Sequence, residues 1–365
     1  MRIRFSLRGS LIATAIVCSA LGYMVKRAHD QRLAVAAVRQ LGGRVVYSHE
    51  QRAGQLGFFS WETPSPTPAW LRDALGAGFF DRVSAVSFGC HGEASINDRQ
   101  LQEVVPHLAA LYLLKSFGLA CGSISGESLA QLSQLDSLEY LLLDDLTAAP
   151  GQIDWIGDLK RLRELTIYGK EIASPWLRRL ATLPRLESAR LHGDWLDDDG
   201  IERLAEAPRL SALTIASDRV TDEGLKHLER LARLQSLSIH STELSDAGMV
   251  HLGRLAALEQ LELIVDSAKS GTATVTAAGI AELRHAPRLK SLTLGNITIG
   301  PEELQALRAL PALEYLLLRN NTGASDEDVA ELKQFQQLRY LEMLMSPASQ
   351  AELHNALPML NINAD

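Results

Sequence analysis

The 365-residue chain holds only three cysteines, Cys18, Cys90 and Cys121, too few for a disulfide framework, and none stands at metal-ligand spacing from another. Aromatic residues are 5% of the sequence, and many lie in one stretch with Phe58, Phe59, Trp61, Trp70, Phe79 and Phe80, so the rest of the core must be aliphatic. No H-E-x-x-H, C-x-x-C or G-x-x-x-x-G-K-[ST] occurs, which removes the usual signatures of zinc hydrolases, thiol redox centres and phosphate cradles. Gly122-Ser123-Ile124-Ser125-Gly126 resembles a nucleophile elbow only superficially, because Ile124 takes the place of the nucleophile. The acidic run Asp194, Asp197, Asp198, Asp199 and Glu202 neither alternates nor closes as a calcium loop does. No catalytic residue, cofactor or metal ligand is expected.

Charge is distributed unevenly. Arg2, Arg4, Arg8, Lys26, Arg27, Arg32, Arg39 and Arg44 oppose Asp30 alone in the first 44 residues. Of 36 basic and 44 acidic residues, 28 and 43 remain after position 44, a net charge of −15. A region of that sign makes a poor partner for phosphate backbones, so nucleic-acid binding is not expected.

Gly9 to Val25 is an uncharged run flanked by Arg8 and Lys26-Arg27, just long enough to span a bilayer as a helix. The reading is an uncleaved anchor, because the helical pattern continues through Leu33, Val35 and Val38. A cleaved signal peptide is the alternative, since Ala20-Leu21-Gly22 offers small residues to a peptidase. Basic residues flank the span on both sides. The short basic segment before it is the usual arrangement for export of the following residues, whereas the larger count after it would hold them in the cytoplasm, and the balance leans slightly to export. Domains are expected at 1–28 (anchor), 29–82 (juxtamembrane helix and aromatic cap), 83–345 (repeats) and 346–365 (C-terminal cap). The helix is expected over His29 to Leu41, ending at Gly42-Gly43, and a β-like run over Arg44 to Tyr47. The aromatic stretch within 48–82 is read as a cover for the exposed end of the repeat core.

What the sequence has in abundance is leucine at a fixed period. Leu138, Leu162, Leu186, Leu210, Leu234 and Leu258 stand 24 residues apart, each opening an L-x-x-L-x-[LI]-like run such as Leu234/Leu237/Ile239. The period then changes from two to about 3.6, as in Ser245-Asp246-Ala247-Gly248-Met249 followed by Leu252. A unit of one strand and one helix cannot bury both apolar faces alone, so about eleven copies must stack. The first two strand cores are read as Val83/Val86/Phe88 and Leu108/Leu111/Leu113, with insertions at 114–121 and 266–272. Thr221 before Asp222 and Glu223 suits a helix start. Pro150 and Pro301 are expected at first helical positions, while Pro184, Pro208, Pro287 and Pro311 end helices before the next strand. Cys90 and Cys121 fall in loops of adjacent units, where a disulfide is geometrically possible and two separate thiols are the alternative.

These units resemble leucine-rich repeats of the ribonuclease-inhibitor-like class, including those of F-box substrate receptors and bacterial GALA-type effectors, over about 260 residues from Val83 to Met343. The basic anchor, Leu41-Gly42-Gly43 and Asn355-Ala356-Leu357-Pro358 are similar to membrane-anchored bacterial leucine-rich repeat proteins. The resemblance implies an α/β fold: a curved solenoid, or horseshoe, with a concave parallel sheet and outer helices behind an N-terminal transmembrane helix. The asparagine typical after the strand occurs only at Asn321, with Lys170, Asp194, Asp218 and Thr242 in other units, so no asparagine ladder is expected.

Strand alternation places Tyr140, Leu142, Glu164, Tyr168, Arg190, His192, His240, Glu262, Tyr315, Arg319 and Tyr340 on the concave face, with Ala212, Thr214 and Ala216 forming a hollow between the larger groups. Tyrosine and arginine suit protein interfaces. The expected function is a membrane-anchored, non-catalytic scaffold that binds a protein, or a surface polymer, through this face. The alternatives are a cytosol-facing adaptor like the F-box receptors and an envelope spacer without a specific ligand.

Overall fold

In the computed structural model, residues 7–50, 64–75, 79–90, 93–122, 124–241, 244–265, 275–320 and 324–364 are described. Phe58, Phe59, Trp61, Thr242, the expected insertion at 266–272 and Asn321 lie outside them. The chain divides into two compact units, Met1–Asp144 and Asp145–Asp365.

In the N-terminal unit, helix α1 runs unbroken over Leu7–Gln40 and carries straight through the expected boundary at residue 28. Nothing in Lys26-Arg27-Ala28-His29 breaks a helix, so anchor and juxtamembrane helix are one element. Residues 11–25 are exposed, whereas Ala28, Gln31, Ala34 and Val38 are buried on one face against α3 (Asp98–Ala109). Gln31 donates to the Asp81 carbonyl and accepts from Val83 N, joining the helix to the start of the sheet. The helix stops where Gly42 takes φ 75°, a conformation that L side chains rarely adopt.

Strand β1 (Arg44–Tyr47) pairs antiparallel with β2 (Val83–Phe88), so the outer edge of β2 is covered by backbone. β3 (Ser116–Ala120) and β4 (Tyr140–Ala148) follow in parallel order. The second strand core is therefore Phe117/Leu119, not Leu108/Leu111/Leu113. Leu108 closes α3, whose start is fixed by an Asn97–Gln100 capping box, and Leu111 lies in the turn that follows. Two leucine triplets fit the same formula here, and the capped helix selects the later one. With Leu114 as the opening leucine the 24-residue period begins one unit earlier, and residues 114–121 hold strand β3 rather than an insertion.

In the C-terminal unit, β5 (Glu164–Ile172), β6 (Ser188–His192), β7 (Ala212–Ala216), β8 (Ser236–Ser241), β9 (Gln260–Val265), β10 (Ser291–Gly295), β11 (Tyr315–Arg319), β12 (Tyr340–Met343) and β13 (Asn361–Asn363) lie in chain order, and all their pairings are parallel. Their inward leucines and isoleucines are almost wholly buried. Strands repeat at about 4.8 Å but helices need about 8–10 Å, so the sheet lines the inside of the bend.

The [TS]-D-x-G motif links one repeat to the next. Asp198, Asp222 and Asp246 each accept two bonds from the following helix cap: backbone N and hydroxyl of Thr221 at 2.8 and 2.8 Å, of Ser245 at 3.0 and 2.6 Å, and of Thr276 at 2.8 and 2.7 Å. A Cβ at Gly224, Gly248 or Gly279 would overlap the carboxylate of the preceding repeat, which explains the glycine. Asp154–Asp158 and Ser174–Thr182, which lack the motif, form 3-10 turns instead of α-helices. Pro301 does open a helix, whereas Pro150 lies in a turn.

Candidate functional site

Outward residues of the C-terminal unit fall into two clusters. In the first, Arg190 Nη1 lies 3.5 Å from Glu164 Oε2, and the rings of Tyr168 and His192 stack at 4.4 Å between centroids, inclined by 28°. Register explains both contacts: Tyr168 pairs with His192 directly, and Arg190 stands beside Thr166, two residues along from Glu164. Thr166 is buried beneath this layer, and its hydroxyl has no hydrogen-bond partner among the described residues. Burial, then His240 and Arg190, holds His192 below the usual imidazole range. His192 and His240 occupy alternate strands with Ala216 between them, about 10 Å apart by strand spacing.

The second cluster centres on Arg319. Its guanidinium lies 3.3 Å from Glu262 Oε1 and 3.4 Å from Glu342 Oε1. Ser238 Oγ donates to Glu262 at 2.8 Å, and the Tyr340 hydroxyl donates to Glu342 at 3.2 Å. Tyr315 stands beside Tyr340 in the sheet and is exposed. Arg319 reaches Glu262 over β10 because that strand presents only Thr293 and Gly295 there. The space beside Gly295 is filled by the Ile264 side chain, which a Cβ would meet. The sequence signal for this bridge is the pair of small residues Thr293 and Gly295 on β10, which the hollow expected at Ala212, Thr214 and Ala216 does not include. Between the clusters β7 presents only Ala212, Thr214 and Ala216 outward and keeps the sheet low.

Tyr140 does not join either cluster. It belongs to the N-terminal unit, where with Cys90 it packs against Val46, Ala85 and Leu142. Leu142, expected to face solvent, is buried there, since β1 supplies a neighbour that the sequence pattern did not assign to this face. Cys90 and Cys121 are thiols that donate to the carbonyls of Phe88 and Leu119, not a disulfide. Burial and the carboxylates of Asp144 and Glu93 push the Cys90 thiol up to about 12.

A separate open groove of about 660 Å³ lies at the far ends of the strands, lined by Pro150, Lys170, Pro175, Asp194, Trp195 and Arg219 among others. Its two cations are already paired, Lys170 with Asp145 at 2.6 Å and Arg219 with Asp197 at 3.7 Å. Asp197 caps a helix through Gly200 N, so the acidic run serves local structure. Among the described residues no group of three or more His, Cys, Asp or Glu side chains is placed to hold a metal ion.

The period, the sequential parallel strands and the interlocked helix starts decide the architecture. The chain has a leucine-rich repeat fold. No family model matches this leucine-rich repeat chain, and no curated protein does. Among solved structures it is similar to an internalin, InlF, from Listeria monocytogenes, at 15% identity over 73% of this chain and 88% of that one, with a TM-score of 0.44. It is also similar to TLR13 in its complex with ssRNA13, at 19% identity over 70% of this chain, with a TM-score of 0.47. That match spans 36% of the TLR13 chain.

Proposed function

We propose that this leucine-rich repeat chain is a membrane-anchored, non-catalytic scaffold that binds a protein partner through the concave sheet of its C-terminal unit. The observation that carries the reading is the pairing of the two clusters. Tyr168 and His192 present stacked rings beside Arg190, while Arg319, Tyr315 and Tyr340 present a second amphipathic surface across the low Ala212–Ala216 strand. Aromatic and arginine anchors combine contact area with hydrogen bonding, and small residues between them admit a convex partner surface.

Anchoring is supported by the segment beginning at Leu11, long and apolar enough to cross a bilayer by length and composition. Arg2, Arg4 and Arg8 form the short basic segment usual before an exported chain, against the larger basic count after the span, and we take the repeat domain as extracytoplasmic.

A photo-crosslinking residue at position 168 or 315, compared with one at Lys226 on the helical side, tests the face in intact cells. One saturable adduct from the sheet positions, competed by the unlabelled chain and reduced by Arg190→Ala with Arg319→Ala, is the expected outcome. Equal adducts from Lys226 and the sheet would refute the face.

A further inference from the structure

The acidic total of the repeat region conceals a local row of the opposite sign. The residue before the repeat's opening leucine is arginine in four successive units, Arg161, Arg185, Arg209 and Arg233, and again at Arg288. Each of the four takes the second position of the turn before its strand. Each stands three residues ahead of Glu164, Ser188, Ala212 and Ser236, which pair in that order. Matched positions in a parallel sheet repeat at about 4.8 Å, so four guanidinium groups leave one rim in a row roughly 14 Å long.

All five arginines are exposed, and none has an ion-pair or hydrogen-bond partner among the described residues. Their basic neighbours are paired: Arg163 with Glu187 at 2.7 Å, Lys290 with Glu259 at 3.4 Å and Arg339 with Glu314 at 3.4 Å. Like charges at this spacing repel, so the row is offset only by anions from outside. The opposite ends of the strands carry the helix-start acids, including Asp198, Asp222 and Asp246. One rim of the unit is therefore cationic and the other anionic.

We propose that the arginine rim binds the anionic phospholipid headgroup layer of a bilayer through guanidinium–phosphate contacts, holding the C-terminal unit edge-on to the membrane. The inference rests on reading α1 as a membrane anchor. A tether keeps a bilayer surface at high effective concentration, and the anionic rim is repelled by that surface, which selects the edge that faces it.

The full chain would be placed in discs of phosphatidylcholine alone or mixed with phosphatidylglycerol. Modification of individual arginines by phenylglyoxal is then followed by mass spectrometry. Several-fold slower reaction of Arg161, Arg185, Arg209 and Arg233 in the anionic discs only, reversed by high salt, is expected, with Arg219 on the other rim unchanged. Equal rates in both discs overturn the proposal. Protection by soluble polyphosphate in neutral discs without protection by phosphatidylglycerol also overturns it and assigns the row to a soluble polyanion. Arg185→Gln with Arg209→Gln and Arg233→Gln, with an unchanged circular dichroism spectrum, should abolish protection of Arg161.

Alkaline carbonate separates the two readings. A chain retained in the bilayer but unprotected keeps the anchor and loses the rim. A chain that is extracted loses the anchor, and its flotation with the same lipids then reads the rim directly. Flotation with phosphatidylglycerol alone, weakened about fivefold for each arginine removed, supports the rim; none with either lipid overturns it.

Discussion

Arg319 and Glu262 meet over an intervening strand, Nη1 to Oε1 at 3.3 Å, although β10 separates the strands that carry them. The bridge aligns Arg319 between two carboxylates without burying any of the three groups. Both partners keep a third to a half of their side-chain surface in water, so the pair contributes little to folding.

Arg319→Ala should therefore leave the thermal midpoint nearly unchanged, with a stability loss of at most about 1 kcal/mol, while weakening partner capture about tenfold. Thermal melting and the crosslinking yield at position 315 read the two effects separately. A large fall in melting temperature with unchanged capture would show that the residue is structural.

Gly248→Ala sets helix propensity against packing. Alanine is favoured over glycine inside a helix by about 1 kcal/mol, yet the new methyl would collide with the Asp222 carboxylate. We expect a net destabilisation of about 1–3 kcal/mol, because the Asp222 bonds to Ser245 must shift. In an Asp222→Ala background the same change should become neutral or stabilising. Urea denaturation of the four species of this double-mutant cycle measures the coupling, and additive effects would contradict the interlock.

His192 should titrate below the ordinary imidazole value of about 6.5. Because the folded value is depressed, the unfolded chain takes up this proton first. Its contribution to stability is complete above the unfolded value, is lost as pH falls from there toward the folded value, and levels off below it. Arg190→Gln and His240→Gln should each move the titration upward, readable from the imidazole carbon-bound proton by NMR. No movement in either would remove the electrostatic account of this cluster.

Cys90, with its thiol raised to about 12 by burial, Asp144 and Glu93, should react with iodoacetamide far more slowly than an exposed cysteine. At pH 8 the folded protein should be slower at this position than in urea by roughly two to three orders of magnitude, in proportion to its thiolate. Asp144→Asn should speed the folded reaction. Peptide mapping after alkylation reports it residue by residue.

The Leu114 register shows where reading the sequence ran short. Leu108, Leu111 and Leu113 have the same internal spacing as Leu114, Phe117 and Leu119, and only the 24-residue step back from Leu138 to Leu114 favours the later set. The Asn97 cap at one end of α3 and the β3–β4 pairing at the other decide the matter. Likewise Asp222 reads as an ordinary helix-start acid, and its bonds to Ser245 connect residues 23 apart that no local pattern joins.

The concave list was legible from alternation for Glu164, Tyr168, Arg190, His192, Glu262 and Arg319, since side chains two apart on a strand share a face. Which of them touch depended on neighbours in other strands. Tyr140 and Leu142 show the difference, for β1 closes an apolar cluster over that part of the sheet in the N-terminal unit.

Leucine periodicity by itself determined the repeating unit and its burial, because only stacking can hide two apolar faces per 24 residues. Tertiary structure alone decided the antiparallel pairing of the first strand, the aspartate interlock and the reach of Arg319 over Gly295. Each of these is a contact between residues distant in sequence, set by what a neighbouring strand or helix leaves open, and no local period records it.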